Sequence, residues 1–288
     1  MKQHSDHAKG LWLAIIGILV LTPDALLIRL ISADEWTLLF WRGLFTFAAL
    51  TVFIAVQRKS NPLPYFFALK RKGVIVATLF AINTILFVIS IRHTPVANTL
   101  VILSTAPIFA AVFSSLFLGE HAPMRTWVTA VIGVVCIGAI MGEGLARATF
   151  IGDGAAVGVA MFLAAILTML RHGGDDDTTS IVALGGLINA AMVIGFATPF
   201  FLVGTDWLFM IILGGLVIPI SFGLTTTAPK YLPAPEVSLI FLLETILGPF
   251  WVWLVIDEAP PELTLIGGGI LIATLIVHTV LSLRTAKP

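Results

Sequence analysis

Three ionisable residues stand inside long apolar runs of this chain: Asp24, Arg42 and Glu244. Charge in such surroundings is expensive, so each is a default candidate for function. Asp24 and Arg42 fall in consecutive runs. At about 1.5 Å per helical residue, both lie roughly 10–12 Å in from the same end. They can pair, as a structural or coupling ion pair that ties two helices together, or one of them can meet a solute or carry a proton. Pro23 stands just before Asp24; it frees a carbonyl and permits a kink there. Glu244 is near the middle of its run, with no cation evident at its depth. It can carry a proton or bind the ammonium group of a solute. The alternative is a neutral glutamic acid hydrogen-bonded to a neighbouring helix.

Uncharged polar residues come out close to mid-depth as well: Asn83, Ser104, Thr105, Asn189 and Ser221. Taken singly, such residues often hold helices together. Phe80, Phe87, Phe222 and Phe241 are also deep. They can line an apolar pocket for a solute or simply pack. Trp12, Trp36, Trp127, Trp207 and Trp253 sit toward segment ends and fit an interfacial aromatic belt. Catalytic signatures are missing: there is no His-Glu-x-x-His, no Gly-x-Ser-x-Gly, no lysine phosphate loop and no Cys/His cluster. Neither a cofactor nor a metal is expected. An intramembrane enzyme using Asp24 and Glu244 as acid and base is the alternative from another class, and it would lack a nucleophile.

The elements that carry these residues follow from composition. Of 288 residues, 58% are hydrophobic and 11% charged, and mean hydropathy is +1.05. A soluble chain carries about a quarter charged residues, so a soluble protein is excluded. Formal net charge is zero, with no basic patch for nucleic acid, and the lone Cys136 permits no internal disulfide. Ten apolar segments can be marked, at 11–31, 34–56, 73–91, 95–118, 124–144, 151–171, 179–202, 206–229, 233–256 and 262–284. Each is long enough for a hydrocarbon core about 30 Å thick. Their continuous apolarity predicts helices over barrel strands. The first reads as a span, because it is longer than a signal peptide's apolar core and lacks a small-x-small cleavage site. Gln57–Lys72 reads as a loop with a short interfacial helix. The stretch 171–179 reads as a solvated linker; its three adjacent aspartates lack the spacing of a calcium loop.

Lys and Arg set the orientation. With both termini cytoplasmic, one side holds Lys2, Lys9, Arg58, Lys59, Lys70, Arg71, Lys72, Arg125, Arg171, Lys230, Arg284 and Lys287, and the other only Arg29, Arg92 and Arg147. The chain also repeats itself. Pro95 recurs as Pro233, Glu120 as Glu258 and Pro123 as Pro261, each 138 residues on. Five spans is an odd number, so the second copy enters from the opposite side. The expected architecture is all-α, ten transmembrane helices in two inverted five-helix repeats at 1–148 and 149–288. Inverted repeats are a device for exposing one central site to two compartments in turn. Pro107, Pro219 and Pro249 are expected to interrupt their helices, and Gly138-x-x-x-Gly142 and Gly154-x-x-x-Gly158 to mark close helix contacts.

Over its whole length the chain resembles the drug/metabolite transporter superfamily, in its ten-helix EamA-type branch. Leu103-Ser-Thr-Ala-Pro107 through Leu118-Gly-Glu120 and Pro123 looks like the repeat signature, and Phe241-Leu-Leu-Glu244 through Asp257-Glu258 and Pro261 like its second copy. Thr245 stands where that pattern often has proline, and Asp257 where it has glycine. Within the branch the balance of residues resembles YddG-type exporters of aromatic and other neutral amino acids. The resemblance implies a cavity framed by the third, fourth, eighth and ninth spans. It implies a carrier that exports small amphipathic metabolites across the bacterial inner membrane by alternating access. Asn83, Ser104, Thr105, Ser221 and Glu244 would meet the polar end of the solute, and Phe87, Phe222 and Phe241 its apolar part. A multidrug or other metabolite carrier of the same fold is the alternative. The expected partners are the solute and the lipid bilayer, and a monomer suffices to bury the site.

Overall fold

Helix accounts for nearly every described residue, and there is no strand among them. The computed structural model describes residues 2–118, 124–146, 149–171, 177–225 and 234–285. Glu120, Pro123, Arg147, the stretch 172–176, Lys230 and Pro233 therefore lie outside the described residues, as does the side chain of Phe241. In chain order the helices are α1 (Lys2–Leu21), α2 (Asp24–Leu30), α3 (Glu35–Arg58), α4 (Leu63–Phe67), α5 (Arg71–His93), α6 (Val96–Leu103), α7 (Ala106–Leu118), α8 (Met124–Ala146), α9 (Phe150–Arg171) and α10 (Thr178–Val193). After a 3-10 turn (Pro199–Phe201) come α11 (Asp206–Met210), a π-helical segment (Ile211–Val217), α12 (Ile218–Thr225), α13 (Ala234–Ile256) and α14 (Glu262–Thr285). Among the described residues, five stretches are long and apolar enough to cross a membrane: Ala8–Leu30, Glu35–Arg58, Arg71–His93, Phe150–Leu170 and Asp206–Thr225. Shorter apolar helices accompany them, within α6, α8, α10, α13 and α14.

Prolines explain some interruptions and not others. The first apolar run breaks at Thr22–Pro23, between α1 and α2, because Pro23 has no N–H to continue the ladder. The run at 95–118 breaks at Ser104–Thr105, just ahead of Pro107, which sits in the first turn of α7 where a missing N–H is harmless. Ahead of Pro219 there is no gap but the π segment, whose wider turn absorbs the lost hydrogen bond. At Pro249 the expectation fails: α13 stays helical straight through it. The segment expected at 179–202 is also shorter, ending at Val193. Its apolar continuation, Ile194 to Phe201, leaves the helix, and Phe200 and Phe201 stand exposed. Between α3 and α5 the predicted short helix is present as α4, with Phe67 outward.

Helix contacts are closest where side chains vanish. α3 packs against α10, α5 against α9 and α10, and α8 against α14. At the first crossing, Gly43 and Gly186 touch backbone to backbone. A Cβ on Gly186 would sit 2.7 Å from the Gly43 carbonyl oxygen, and one on Gly43 would strike the Gly186 carbonyl and lie 2.9 Å from Asn189 Nδ2. Lipid supplies no hydrophobic drive between helices, so such close fits must do the work. Of the expected glycine contacts, a Cβ at Gly138 or Gly154 meets nothing within 4 Å among the described residues, whereas one at Gly158 would lie 3.0 Å from Leu86 Cδ1. A small-residue spacing tells which glycines share a face, not what lies opposite. The outer flanks of α8 show Val131, Val134 and Val135 to the surroundings, as a lipid-facing helix should.

One end of the bundle is heavily tied. Arg29 Nη2 donates to the Thr94 carbonyl at 2.9 Å and to Glu258 at 3.2 Å, and Glu258 accepts the Val96 N–H at 2.9 Å, capping α6. Asp206 accepts both the N–H and the hydroxyl of Ser32. Arg92 donates to the carbonyls of Ile31 and Ala33. At the opposite end, Arg58 reaches Asp177 at 3.0 Å. Asp177 also caps α10 through Thr179 and Ser180, so the last aspartate of the linker is a helix cap.

Alanine at Gly43 or Gly186 should lower the melting temperature of the detergent-solubilised protein, since overpacking costs about 1–3 kcal/mol. Gly138→Ala, which meets open space, should leave it unchanged. Equal melting temperatures for all three would refute the Gly43–Gly186 crossing.

Candidate functional site

Asp24 opens α2 and Arg42 lies a third of the way along α3, and both are buried. Arg42 Nη1 donates to Asp24 Oδ1 at 2.7 Å and Nη2 to Oδ2 at 2.8 Å. This two-pronged geometry is the strong form of an arginine–carboxylate pair. It also occupies both Asp24 oxygens, which leaves Asp24 poorly placed to act as an acid or base. The π segment steadies the other partner. Gly214 comes so close to α3 that a Cβ would lie 3.0 Å from the Arg42 carbonyl oxygen, and Thr46 Oγ1 donates to the Gly214 carbonyl at 3.2 Å. Such π segments recur at functional sites.

Glu244 of α13 is half-buried and lies within electrostatic range of both Asp24 and Arg42. It makes no hydrogen bond or ion pair among the described residues. The cation that the sequence did not reveal is thus Arg42, though Asp24 already neutralises it. An ionised Glu244 would be a third charge, giving the cluster a net negative one. In a hydrocarbon interior such a charge calls for a proton or the cationic group of a solute.

α5 supplies the wall beside it. Phe80, Asn83 and Phe87 follow helical spacing along one stripe. Phe87 lies with its ring centroid 5.8 Å from the Arg42 guanidinium carbon, and Phe80 meets Phe222 of α12 edge to face at 4.9 Å. Between them, Asn83 Oδ1 is buried with no hydrogen-bond partner. Ser221, next to Phe222, is fully buried and its hydroxyl is likewise unpartnered. Buried polar atoms without partners are rare and ask for an explanation; a bound solute or water would supply one.

Other predicted residues are differently employed. The Ser104 hydroxyl donates to the Val101 carbonyl at 2.7 Å and the Thr105 hydroxyl to the Ile102 carbonyl at 2.6 Å. Both stitch the break between α6 and α7, and only their acceptor lone pairs remain for a solute. Asn189 Nδ2 holds the Leu39 carbonyl at 2.9 Å, joining α10 to α3.

The sequence reading overlooked a second polar cluster. Asp153, at the start of α9 and fully buried, accepts from the Thr94 hydroxyl at 2.5 Å, from Asn98 Nδ2 at 3.2 Å and from the Thr149 hydroxyl at 3.3 Å. The Thr264 hydroxyl of α14 donates to Asn98 Oδ1. An acid three residues inside an apolar run was the available signal. Its oxygens are all satisfied, so this cluster fastens α6, α9 and α14 and has no open valence for a ligand.

Comparison with known proteins adds likenesses in sequence and in fold. Residues 8–142 match the EamA-like transporter family. A pseudopaline exporter of Pseudomonas aeruginosa, in strains UCBPP-PA14 and PAO1, is 25% identical over 229 residues, covering 73% of this chain and 76% of the exporter. A solved crystal structure superposes with a TM-score of 0.68 at 18% identity, covering 94% of this chain and 98% of the other. The fold is thus shared almost from end to end. With its long apolar helices, the chain is built as a multi-pass membrane protein, and its first half is similar to EamA-like transporters.

Removing one partner of a buried ion pair strands the other and costs about 3–5 kcal/mol. Asp24→Ala and Arg42→Ala should each cut the yield of monodisperse protein and lower its melting temperature. Joint replacement by apolar residues of similar volume, Asp24→Leu with Arg42→Met, should recover much of that loss. A double variant as unstable as the singles would refute a mutually compensating pair.

Proposed function

We propose that this chain, EamA-like over residues 8–142, is a secondary carrier for small amphipathic metabolites that bear a cationic nitrogen beside an apolar body. Its ten apolar segments cross the membrane as two inverted five-helix repeats, with both termini in the cytoplasm of a bacterium. The solute passes by alternating access, outward across the inner membrane. Glu244 takes the cationic nitrogen, Asn83 and Ser221 the remaining polar groups, and Phe87 and Phe222 the apolar part; Ser104, Thr105 and Phe241 complete the reading as further contacts. Aromatic and other neutral amino acids are the solutes that fit this description most simply.

The observation that carries the reading is Glu244, a carboxylate inside an apolar helix, near an ion pair that is already neutral. A free ammonium group supplies the missing charge, and the unpartnered Asn83 and Ser221 side chains offer hydrogen-bonding positions for the solute's remaining polar groups. Further support comes from the pseudopaline exporter, a relative that moves a metabolite outward. In the proposed orientation the tied end, at Arg29 and Glu258, faces away from the cytoplasm. A multidrug or other metabolite carrier of the same fold is the second reading, favoured by the breadth of phenylalanine on α5 and α12 and by the small number of directed polar groups.

Purified protein in sealed liposomes should speed the efflux of trapped labelled amino acids, with phenylalanine and pseudopaline both in the panel. Glu244→Gln, which removes the charge at constant shape, should cut the rate by about tenfold or more, in line with loss of a charged contact. Vesicles that leak no faster than protein-free ones for any of these solutes would end this reading.

A further inference from the structure

The break between α1 and α2 is closed by side chains. In a continuous helix the Leu19 carbonyl would accept from the N–H of residue 23, but Pro23 has none. The Thr22 hydroxyl takes that place, donating to the Leu19 carbonyl at 2.9 Å. The same hydroxyl oxygen accepts from the indole Nε1–H of Trp251 at 3.0 Å. A relay therefore runs from α13 into the break: Trp251 N–H to Thr22 O–H to the Leu19 carbonyl.

Its two ends are one step from the candidate site. Asp24 follows Pro23 directly, so the residue two after the relay's hydroxyl is the carboxylate that binds Arg42. On α13, Glu244, Gly248 and Trp251 follow spacings of four and three and share a face. Gly248 lets that face descend: a Cβ there would lie 3.9 Å from the Thr22 carbonyl oxygen and overlap Leu100. The indole is also unusually employed. An interfacial tryptophan normally spends its N–H on water or headgroups. Trp251 spends it on a hydroxyl whose residue is only 3% exposed.

We propose that Trp251 is a positioning residue for the transport site. Its N–H, through Thr22, fixes the register of α13 against the break, and so fixes where Glu244 stands relative to Asp24 and Arg42. The proposal rests on the carrier reading of Glu244. It needs one donor hydrogen at residue 251 and one hydroxyl at residue 22, and nothing else at either position. Phenylalanine keeps the ring of Trp251 and loses the donor; valine keeps the shape of Thr22 and loses the hydroxyl; serine keeps the hydroxyl.

The test uses the purified full chain with Trp251→Phe, Thr22→Val, Thr22→Ser and the Trp251→Phe/Thr22→Val double variant. Two measurements are made: the rate at which dicyclohexylcarbodiimide labels Glu244, followed by mass spectrometry, and the KM of efflux from liposomes. With one hydrogen bond lost, Trp251→Phe and Thr22→Val should each change the labelling rate by about three- to tenfold and raise KM by a similar factor. The double variant should go no further than either single one, Thr22→Ser should match the wild type, and melting temperatures should stay close together. Wild-type labelling in Trp251→Phe and Thr22→Val, or effects that multiply in the double variant, would overturn the proposal. Labelling needs no transported solute, so the geometry is read even where efflux is silent. Efflux that survives Glu244→Gln would instead overturn the role given to Glu244 in the carrier reading, on which this proposal rests.

Discussion

A charge in hydrocarbon has to be answered, and that constraint organises this structure. Asp24 and Arg42 answer each other through two short hydrogen bonds. To do so, α2 must begin where Pro23 lets it, and α3 must come close enough to the π segment for Gly214 to touch the Arg42 backbone. Yet a buried pair contributes little net stability, because an apolar pair of equal volume holds two helices about as well. The charges are better accounted for by their effect on a third group. They give Glu244 a neutral, dipolar neighbour, which on the proposed reading leaves its own charge for a solute.

The same constraint decided what could be read in advance. Asp24, Arg42 and Glu244 announced themselves as ionisable residues in apolar runs, and counting helical rise was enough to set the first two at one depth. Counting could not bring Glu244 to them, since it fixes height along a helix but not rotation about it. Pro23 was legible because a missing N–H has one consequence; Pro249 was misread because a single lost bond inside a packed helix can simply be tolerated. The end of α10 was hidden by composition: Ile194, Phe196, Phe200 and Phe201 are as apolar outside the helix as they would be within it. Which hydroxyls are spent on their own backbone, as at Ser104 and Thr105, and which are left open, as at Ser221, depends on local turns that residue type alone does not report.

Close approach of backbones follows similar logic. Lipid offers no hydrophobic reward for helix association, so contact has to come from fit and from polar groups. Gly43 against Gly186 provides the fit between α3 and α10, and Asn189 adds a hydrogen bond across the same seam. The cluster around Asp153 does for α6, α9 and α14 what the glycines do for α3 and α10, using hydroxyls in place of bare Cα atoms. α1 and α13 also pack closely, Gly17 against Thr225 and Gly248 against Leu100, and the candidate site and the Thr22–Trp251 relay lie where they meet α2.

The ties at the Arg29 end set the energy scale for any motion. Glu258 alone joins the end of α2 to the first turn of α6, and Asp206 and Arg92 clasp the turn between α2 and α3 from two sides. At about 0.5–1.5 kcal/mol each, half a dozen such bonds come to several kcal/mol if they are lost together with nothing in return. A form open at that end would then be populated to well under one part in a hundred. The proposed carrier could not run on that ratio, so opening one end would have to be matched by new bonds made at the other. The proposed inverted duplication would meet this demand, because whatever one copy supplies at one end the other would supply at the opposite end. On the proposed reading, an inverted repeat would balance two states as well as build one fold.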